Sequence, residues 1–437
     1  MSRIDKYEDD LRETKILSEM HLPLKNNQDV YSIYPYNKQK LLWYLSNWDR
    51  MEARSDPNNR NRIIYNSKIF PYHGLHRSIL ITKTPRLKIK EGYKIKFCDD
   101  LFVEMVQKYE LKFNDQKIFE GNNISLKFLL RSDLEWTKYN KEVGNNHRLN
   151  KWATELDSVN ISIKIPWCYS RDRSDYFPLF LCGNSNKLEH IIEYKLDLPN
   201  LLHIKDSGGN QVDFDPSLFE IIENQQISIP EMEGLYTSHT SDEYKANIDI
   251  IKNGKREYFV EDTKYIEDEN TTKLGQKRPL TIDRDHKYPS NTIFWGAINK
   301  TKSEKKKNLV LHSNQDYNSP VKSTTIKTDI SILLENKDSY KTEYAYLCGL
   351  PQHVSEDAGY NFWKNNVLST QDNKKFTPNI CFGGGKIIIN LIEENGCTDD
   401  FLPFCVILYN RKFVFKNFPT THEDRLKFGA TIELDEE

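Results

Sequence analysis

The sequence predicts an all-β protein with two domains. Many short segments alternate apolar and polar residues at period two, as residues 93–98 and 109–113 do. Few segments show helical periodicity, and the strand-like segments do not alternate with helices as parallel βαβ units require. The 437 residues are more than one domain usually contains and are sufficient for two.

The composition sets limits on function. Hydrophobic residues make up 38% and aromatic residues 12% of the chain, a balance typical of half-buried strands joined by long polar loops. The formal net charge of −2 gives no basic field, so no direct nucleic-acid partner is expected. The sequence contains neither an apolar stretch of membrane-spanning length nor an apolar secretion signal at its start.

The seven cysteines form no CxxC pair, and their number is odd. Most lie within apolar segments, so we expect free, buried thiols in a reducing compartment. A structural zinc site needs closely spaced ligand pairs, which these cysteines do not provide.

Residues 1–60 are polar apart from one denser patch around Trp43 and Trp48, and they are predicted to form an N-terminal arm. Residues 61–226 are predicted to form the first domain. Its strand-like segments are residues 79–81, 87–90, 93–98, 109–113, 118–119, 159–165 and 188–198. Apolar residues at mixed spacing over residues 124–142 predict a helix.

Residues 227–437 are predicted to form the second domain with a C-terminal tail. Its strand-like segments are residues 244–250, 257–265, 292–298, 326–334, 344–350, 386–391, 404–408 and 412–418. The lysine-rich residues 302–307 predict a solvated hairpin tip. Each half supplies about eight strands, the number in one jelly roll.

Residues 163–198 carry the most informative pattern. An apolar run ends at Pro166 and Trp167, a charged turn follows at residues 171–175, and Tyr176 begins a second apolar run that leads into an alternating strand. This order resembles the proline, aromatic, charged-turn and proline–leucine segment in the first jelly roll of major capsid proteins from large nucleocytoplasmic DNA viruses.

Weaker matches to the same capsid proteins occur in the same order along the chain. They lie at residues 27–31, 93–120, 288–295, 376–385 and 406–413. The family's glycine pair is replaced by Asn114 and Asp115, which still suit a turn. Its Ser-Arg-Ile-Asp motif is missing after residue 376.

The resemblance implies two consecutive eight-stranded antiparallel jelly rolls with long loops. It also implies a homotrimer of pseudo-sixfold outline that tiles an icosahedral shell with neighbouring capsomers. Minor capsid proteins are implied partners, and contacts with internal membrane-associated proteins stay open. The implied location is the virion capsid, assembled in the host cytoplasm. Residues 268–288, 311–327 and 357–377 are the expected exposed or inter-subunit loops.

No catalytic, cofactor-binding or metal-binding residue is predicted, and the chain is not expected to be an enzyme. Residues 383–386 read Gly-Gly-Gly-Lys, but a strand follows rather than the helix of a phosphate loop. Asp262 and Lys264, with Asp249 upstream, loosely fit a metal-dependent nuclease. His73 and His76 are three residues apart, a spacing that metal ligands can have, but they follow Pro71 in a predicted loop.

Three large aromatic residues, Trp167, Trp295 and Phe382, are predicted to pack in cores, with carbohydrate stacking as the functional rival. The departures from the capsid motifs leave a minor capsid or scaffold-like paralogue as an alternative. A further alternative, from another class, is a monomeric two-domain β-sandwich that binds a glycan or a protein through a concave aromatic site.

Overall fold

The strands of the first half lie between residues 46 and 238 in a computed structural model. It describes residues 46–69, 73–133, 141–145, 148–170, 176–238, 255–284, 289–314, 318–328, 331–338, 359–364, 380–419, 421–427 and 429–434. The first-half strands are β1 Ser46–Arg50, β2 Glu52–Asp56, β3 Asn59–Asn66, β4 His73–Lys83, β5 Leu87–Ile89, β6 Lys94–Phe97, β7 Val106–Phe113, β8 Gln116–Asn122, β9 Glu155–Leu156, β10 Asn160–Lys164, β11 Leu188–Tyr194, β12 Leu202–Lys205, β13 Gln211–Val212, β14 Phe219–Ile222 and β15 Glu231–Ser238.

The second half begins with a long strand after residue 254. Its strands are β16 Lys255–Glu267, β17 Lys277–Thr281, β18 Pro289–Asn299, β19 Val321–Lys327, β20 Ile332–Asp338, β21 Asn361–Lys364, β22 Ile380–Cys381, β23 Lys386–Leu391, β24 Phe401–Lys416 and β25 Thr431–Leu434. The α-helices of both halves are short: α1 Leu101–Met105, α2 Asn123–Asp133, α3 Leu198–Leu201, α4 Lys300–Lys306 and α5 His422–Lys427. None of these helices is long and apolar enough to cross a membrane.

The two halves share one order of strand pairing. We number eight strands of each half by position along the chain, from one to eight. In the first half these are β1, β3, β4, β7, β8, β10, β11 and β15; in the second they are β16, β17, β18, β19, β20, β21, β23 and β24. In both halves one sheet has the order one-eight-three-six and the other has two-seven-four-five, and β2 extends the latter in the first half.

This pairing order defines the fold. The neighbouring strands are antiparallel, and positions far apart in sequence, such as one and eight, lie side by side. Two facing four-stranded sheets built this way form a jelly roll. The prediction of two consecutive eight-stranded jelly rolls is therefore confirmed.

Alternate residues along the strands are buried, so one face of each sheet packs against a core. On β4, Leu80 is buried and pairs with the buried Ile163 of β10, while Ile79 and Ile81 point the other way. One apolar core fills the first jelly roll and also includes residues of the second half such as Phe413 and Phe415, and a second core fills the second jelly roll. A third cluster joins residues of both halves.

Each core contains a fully buried tryptophan whose indole N–H is satisfied. Trp167 donates to the Ser78 hydroxyl at 2.7 Å, and Trp295 donates to the Thr324 hydroxyl at 2.8 Å. Phe382 is also fully buried. The prediction that these three aromatic residues pack in cores is confirmed by their burial. The two hydroxyls supply the hydrogen-bond partner that a buried indole N–H needs.

Several predicted loops contain strands. Strand β17 lies within residues 268–288, β19 within 311–327 and β21 within 357–377. In β17 only Leu280 is buried, so its polar sequence shows no apolar alternation. Pairing with the apolar β23 supplies its backbone hydrogen bonds instead.

The lysine-rich residues 302–307 are not a hairpin tip. Residues Lys300–Lys306 form helix α4, and the Asn299 side chain caps it by accepting a hydrogen bond from the Lys302 N–H at 2.9 Å. An asparagine at this position favours a helix start. The helix predicted over residues 124–142 is observed as α2 over Asn123–Asp133, and residues 134–140 lie outside the described part of the chain.

The predicted limits of the domains differ from the strand pairing. Strand β1 lies within the predicted arm, and β15 lies beyond residue 226, yet both pair in the sheet that contains β4. The division at residues 226 and 227 stays a prediction. Residues 27–31, 244–250 and 344–350 lie outside the described part of the chain.

The thiols agree with the expectation of free cysteines. Within the described residues, Cys98, Cys168, Cys182 and Cys405 are buried and free, and Cys397 is half-buried and free. Burial raises the pKa of the Cys98 and Cys168 thiols well above their usual range. These thiols therefore act as small core residues.

Removal of the second tryptophan tests the importance of its core. Trp295→Ala should lower the free energy of unfolding by about 3–5 kcal/mol, because it leaves a large cavity. Trp295→Phe should cost less, about 1–3 kcal/mol, because it keeps most of the ring but removes the donor to Thr324. Urea denaturation followed by fluorescence measures both values, and a loss below about 0.5 kcal/mol for Trp295→Ala would contradict the assignment.

Candidate functional site

The segment with the strongest capsid resemblance contributes to a buried network in the first jelly roll. The Tyr169 hydroxyl lies 2.7 Å from Nε2 of His190, and Nδ1 of His190 lies 3.3 Å from the Ser67 hydroxyl. The Trp167 ring packs edge-on against the His190 ring at 4.8 Å. Burial lowers the pKa of His190 to about 3, so its imidazole is neutral and structural.

Residues 425–430 bind residues 180–186 of this segment, and we call this contact the C-terminal clasp. Arg425 of α5 is buried and donates hydrogen bonds to the carbonyl oxygens of Phe180 and Cys182. The Asn186 side chain accepts from the Ala430 N–H and donates to the Ala430 carbonyl, both at 2.8 Å. The Arg425 side chain and the Ala430 backbone thus bind residues 180–186 of the first half.

Helix α2 of the first half joins the two jelly rolls elsewhere. Its Phe128 ring lies 5.5 Å from Phe294, 5.0 Å from Tyr360 and 5.5 Å from Phe404, all in the second half. These rings belong to one buried cluster with Ile124 and other residues of the second half. We call this cluster, in which α2 covers the outer face of the sheet β16-β24-β18-β21, the seam.

Two edge strands meet beside the seam. Strand β8, position five of the first jelly roll, lies against β16, position one of the second. The Thr263 hydroxyl of β16 donates to the Glu120 carbonyl of β8 at 3.2 Å. The contact of the two jelly rolls therefore combines a covered sheet face with an edge-to-edge approach.

The same contact buries charged groups. Glu104 of α1 accepts a hydrogen bond from the Leu309 N–H of the second half at 2.9 Å. Nearby, Lys127 of α2 forms a buried ion pair with Asp100 at 2.9 Å. Burial raises the pKa of Glu104 from 4.5 to about 7, because the loss of water outweighs the hydrogen bond from the Leu309 N–H and the positive charges of Lys127 and Lys195.

Asp262, singled out as a possible metal ligand, is part of the scaffold. Its carboxylate accepts from the Tyr409 hydroxyl at 2.9 Å and from the Arg411 guanidinium at 3.3 Å. Burial raises its pKa to about 6. Lys264 instead pairs with Asp283 at 2.8 Å, and Asp249 lies outside the described residues. Asp262 and Lys264 thus belong to two separate ion pairs.

The other sequence motifs also have structural roles. Gly384 takes a φ of 73°, and residues 383–385 form the turn before strand β23, where a phosphate loop would need a helix. His73 and His76 lie on strand β4 rather than in the predicted loop. Within the described residues, no cluster of three histidine, cysteine or acidic side chains suits a metal ion.

Sequence reasoning missed the C-terminal clasp and most of the seam. Arg425 bonds to carbonyls 243 and 245 residues away, and no local pattern encodes such a partner. The seam left a partial signal, because Ile124 and Phe128 are four residues apart and share one face of a helix. The sequence places this helix in the first domain and does not indicate that it covers a face of the second.

Comparison with solved structures shows what this architecture is similar to. PBCV-1 VP54, fitted into a reconstruction of the virophage Sputnik, superposes with a TM-score of 0.62 at 9% identity over 90% of this chain and 97% of that chain. The Faustovirus major capsid protein superposes with a TM-score of 0.59 at 8% identity over 94% and 98% of the two chains. A chain of the Sputnik virophage gives a TM-score of 0.54 at 9% identity, covering 89% and 88%.

No protein-family model and no curated protein matches the chain. The likeness to solved structures extends over both jelly rolls and concerns the fold. The chain therefore has the double jelly-roll fold of viral major capsid proteins, in a strongly divergent sequence.

Arg425 offers a direct test of the C-terminal clasp. Arg425→Ala should lower the free energy of unfolding by about 2–4 kcal/mol, because two buried carbonyl oxygens lose their donors. Lys427→Ala on the same helix, where the side chain is exposed, is the matched control and should change it by less than about 0.5 kcal/mol. Chemical denaturation measures both, and equal values would contradict the clasp.

Glu104 should give the seam a pH dependence. Its carboxyl binds a proton more tightly in the folded than in the unfolded chain, so its contribution to stability is complete below about pH 4.5 and is lost as the pH rises through about 7. The loss should approach about 3 kcal/mol. In Glu104→Gln this change should vanish, so the difference in unfolding free energy between wild type and variant should depend on pH. A difference that stays constant from pH 4 to pH 8 would contradict the prediction.

Proposed function

We propose that the chain is the structural subunit of a viral capsid, a divergent major capsid protein that forms homotrimeric capsomers of pseudo-sixfold outline. The observation that carries this proposal is the identical pairing order of the two jelly rolls in one chain. It gives each subunit two similar building blocks, so that three subunits supply six to a closed ring. The superposition over most of both chains supports it.

The proposal includes the division of the chain. The first jelly roll runs from β1 to β15 and the second from β16 to β24, with the C-terminal clasp after it. These limits follow the strand pairing of β1 and β15 with β4. Neighbouring capsomers and minor capsid proteins are the proposed partners, and the virion capsid, assembled in the host cytoplasm, is the proposed location.

The proposal assigns the chain no catalysis. Its buried polar groups, such as Asp262 and His190, hold the scaffold through bonds to other side chains. The rival reading as a glycan-binding module relied on exposed aromatic rings. Trp167, Trp295 and Phe382 are fully buried, so none of these three can stack on a sugar.

The mass in solution tests the capsomer. Light scattering on the purified protein should give about 155 kDa, three times the chain mass of 51.6 kDa. The trimer should persist on dilution into the nanomolar range, because an interface of obligate size dissociates slowly. A species of 51.6 kDa at every concentration would contradict the trimeric capsomer.

A further inference from the structure

The two edge strands that meet beside the seam each have a counterpart at the same position in the other jelly roll. In the seam, position five of the first jelly roll (β8) meets position one of the second (β16). Because both jelly rolls share one pairing order, the second also has a position five, β20, and the first also has a position one, β1. Each lies at the end of its sheet in the described part of the chain.

These two edge strands expose large apolar side chains. Trp48 on β1 is 46% exposed, and Ile332 on β20 is 52% exposed. Among the described residues only Ile229 and Leu426 are other large apolar residues of this kind. Two of these four exposed apolar residues therefore lie on β1 and β20, the two edge strands that take no part in the seam.

The sheet face beside β1 carries an apolar stripe. Strand register places Trp48 opposite Leu235 and Leu235 opposite Arg77 on the face that points away from the core. Ile79 and Ile81 of β4 lie on the same outward face and are half-buried. Outward apolar residues at four points of one sheet face are unusual for a surface that only contacts water.

The matching face of the second jelly roll is the one covered by α2. There the register aligns Tyr265, Val406, Phe294 and Phe362 in one row across strands one, eight, three and six. The row is packed in the seam. The row of Trp48, Leu235 and Arg77 thus lies on strands one, eight and three of the first jelly roll. In the second jelly roll, α2 covers the strands at these same positions.

The outer face is more polar than the seam. Arg50 and Glu231 form an exposed ion pair at 2.6 Å, and Glu233 lies on the same face between Arg50 and Ile79. A chain must stay soluble before it meets its partner, so a surface that assembles after folding keeps charges around an apolar centre. The corresponding row in the seam consists of aromatic and aliphatic side chains, those of Tyr265, Val406, Phe294 and Phe362.

We propose that β20 of one copy packs against β1 and the outward face of β1-β15-β4-β10 of the next copy, and so repeats the seam between chains. This inference rests on the proposed function and names its trimer contacts. The contact is head-to-tail, since it joins two different surfaces of the chain. Such a contact closes into a ring when its rotation divides the circle.

Two charge substitutions and their mixture test the arrangement. Trp48→Asp puts a charge on the outward sheet face and leaves β20 unchanged. Ile332→Asp puts a charge on β20 and leaves the outward sheet face unchanged. Each variant alone should scatter light as a monomer of 51.6 kDa, because every junction then contains one damaged surface. Mixed in equal amounts, they should form a dimer of twice that mass, because one intact junction remains per pair.

The control is Leu426→Asp on α5, where Leu426 is 64% exposed outside both surfaces; it should keep the wild-type mass. Far-ultraviolet circular dichroism and thermal melting confirm that each variant is folded. Variants that keep a wild-type trimer, or variants whose mixture stays monomeric, would overturn the head-to-tail contact while the capsomer proposal stands. A monomeric wild type would overturn the capsomer itself, and the contact with it.

Discussion

The apolar contact between helix α2 and the outer sheet face of the second jelly roll is the constraint on which the rest of the molecule depends. Phe128 sits among three aromatic rings of the other half. Removing that cover would expose a continuous row of phenylalanine, valine and tyrosine side chains to water, at about 25 cal/mol for each Å² of apolar surface. The two jelly rolls are therefore not independent domains joined by a linker.

The C-terminal clasp fixes the same pair of jelly rolls at another place. Arg425 and the backbone of Ala430 reach back to the first half, near the residues that carry the capsid resemblance. An apolar seam resists separation without fixing direction, whereas charged and amide hydrogen bonds demand one geometry. Together they hold two similar bodies in one orientation, which is what a subunit needs if it is to add the same rotation at every step of a ring.

The sequence predicts the class and the doubling of the fold, because strand alternation and strand count are local properties. It also predicts the burial of Trp167, Trp295 and Phe382, since large aromatic residues in apolar segments usually lie in cores. Strands β1 and β17 escaped prediction because both are polar and obtain their place from a partner strand distant in sequence. Helix α4 escaped because its capping asparagine precedes a run of lysines that suits a loop as well.

The contacts between the halves could not be read from the sequence for a different reason. Arg425 donates to the backbone carbonyls of Phe180 and Cys182, and Glu104 accepts from the backbone N–H of Leu309. A backbone group leaves no trace in residue identity. The topology makes these contacts visible, since the same pairing order in both halves shows which edge and which face correspond.

The most direct test of the account is the cooperativity of unfolding. Differential scanning calorimetry of the purified protein should show a single endotherm in which both jelly rolls unfold together, with no stable half remaining. Two separate transitions, each with the enthalpy expected for one half, would mean that the jelly rolls are independent domains and would contradict the central role of the seam.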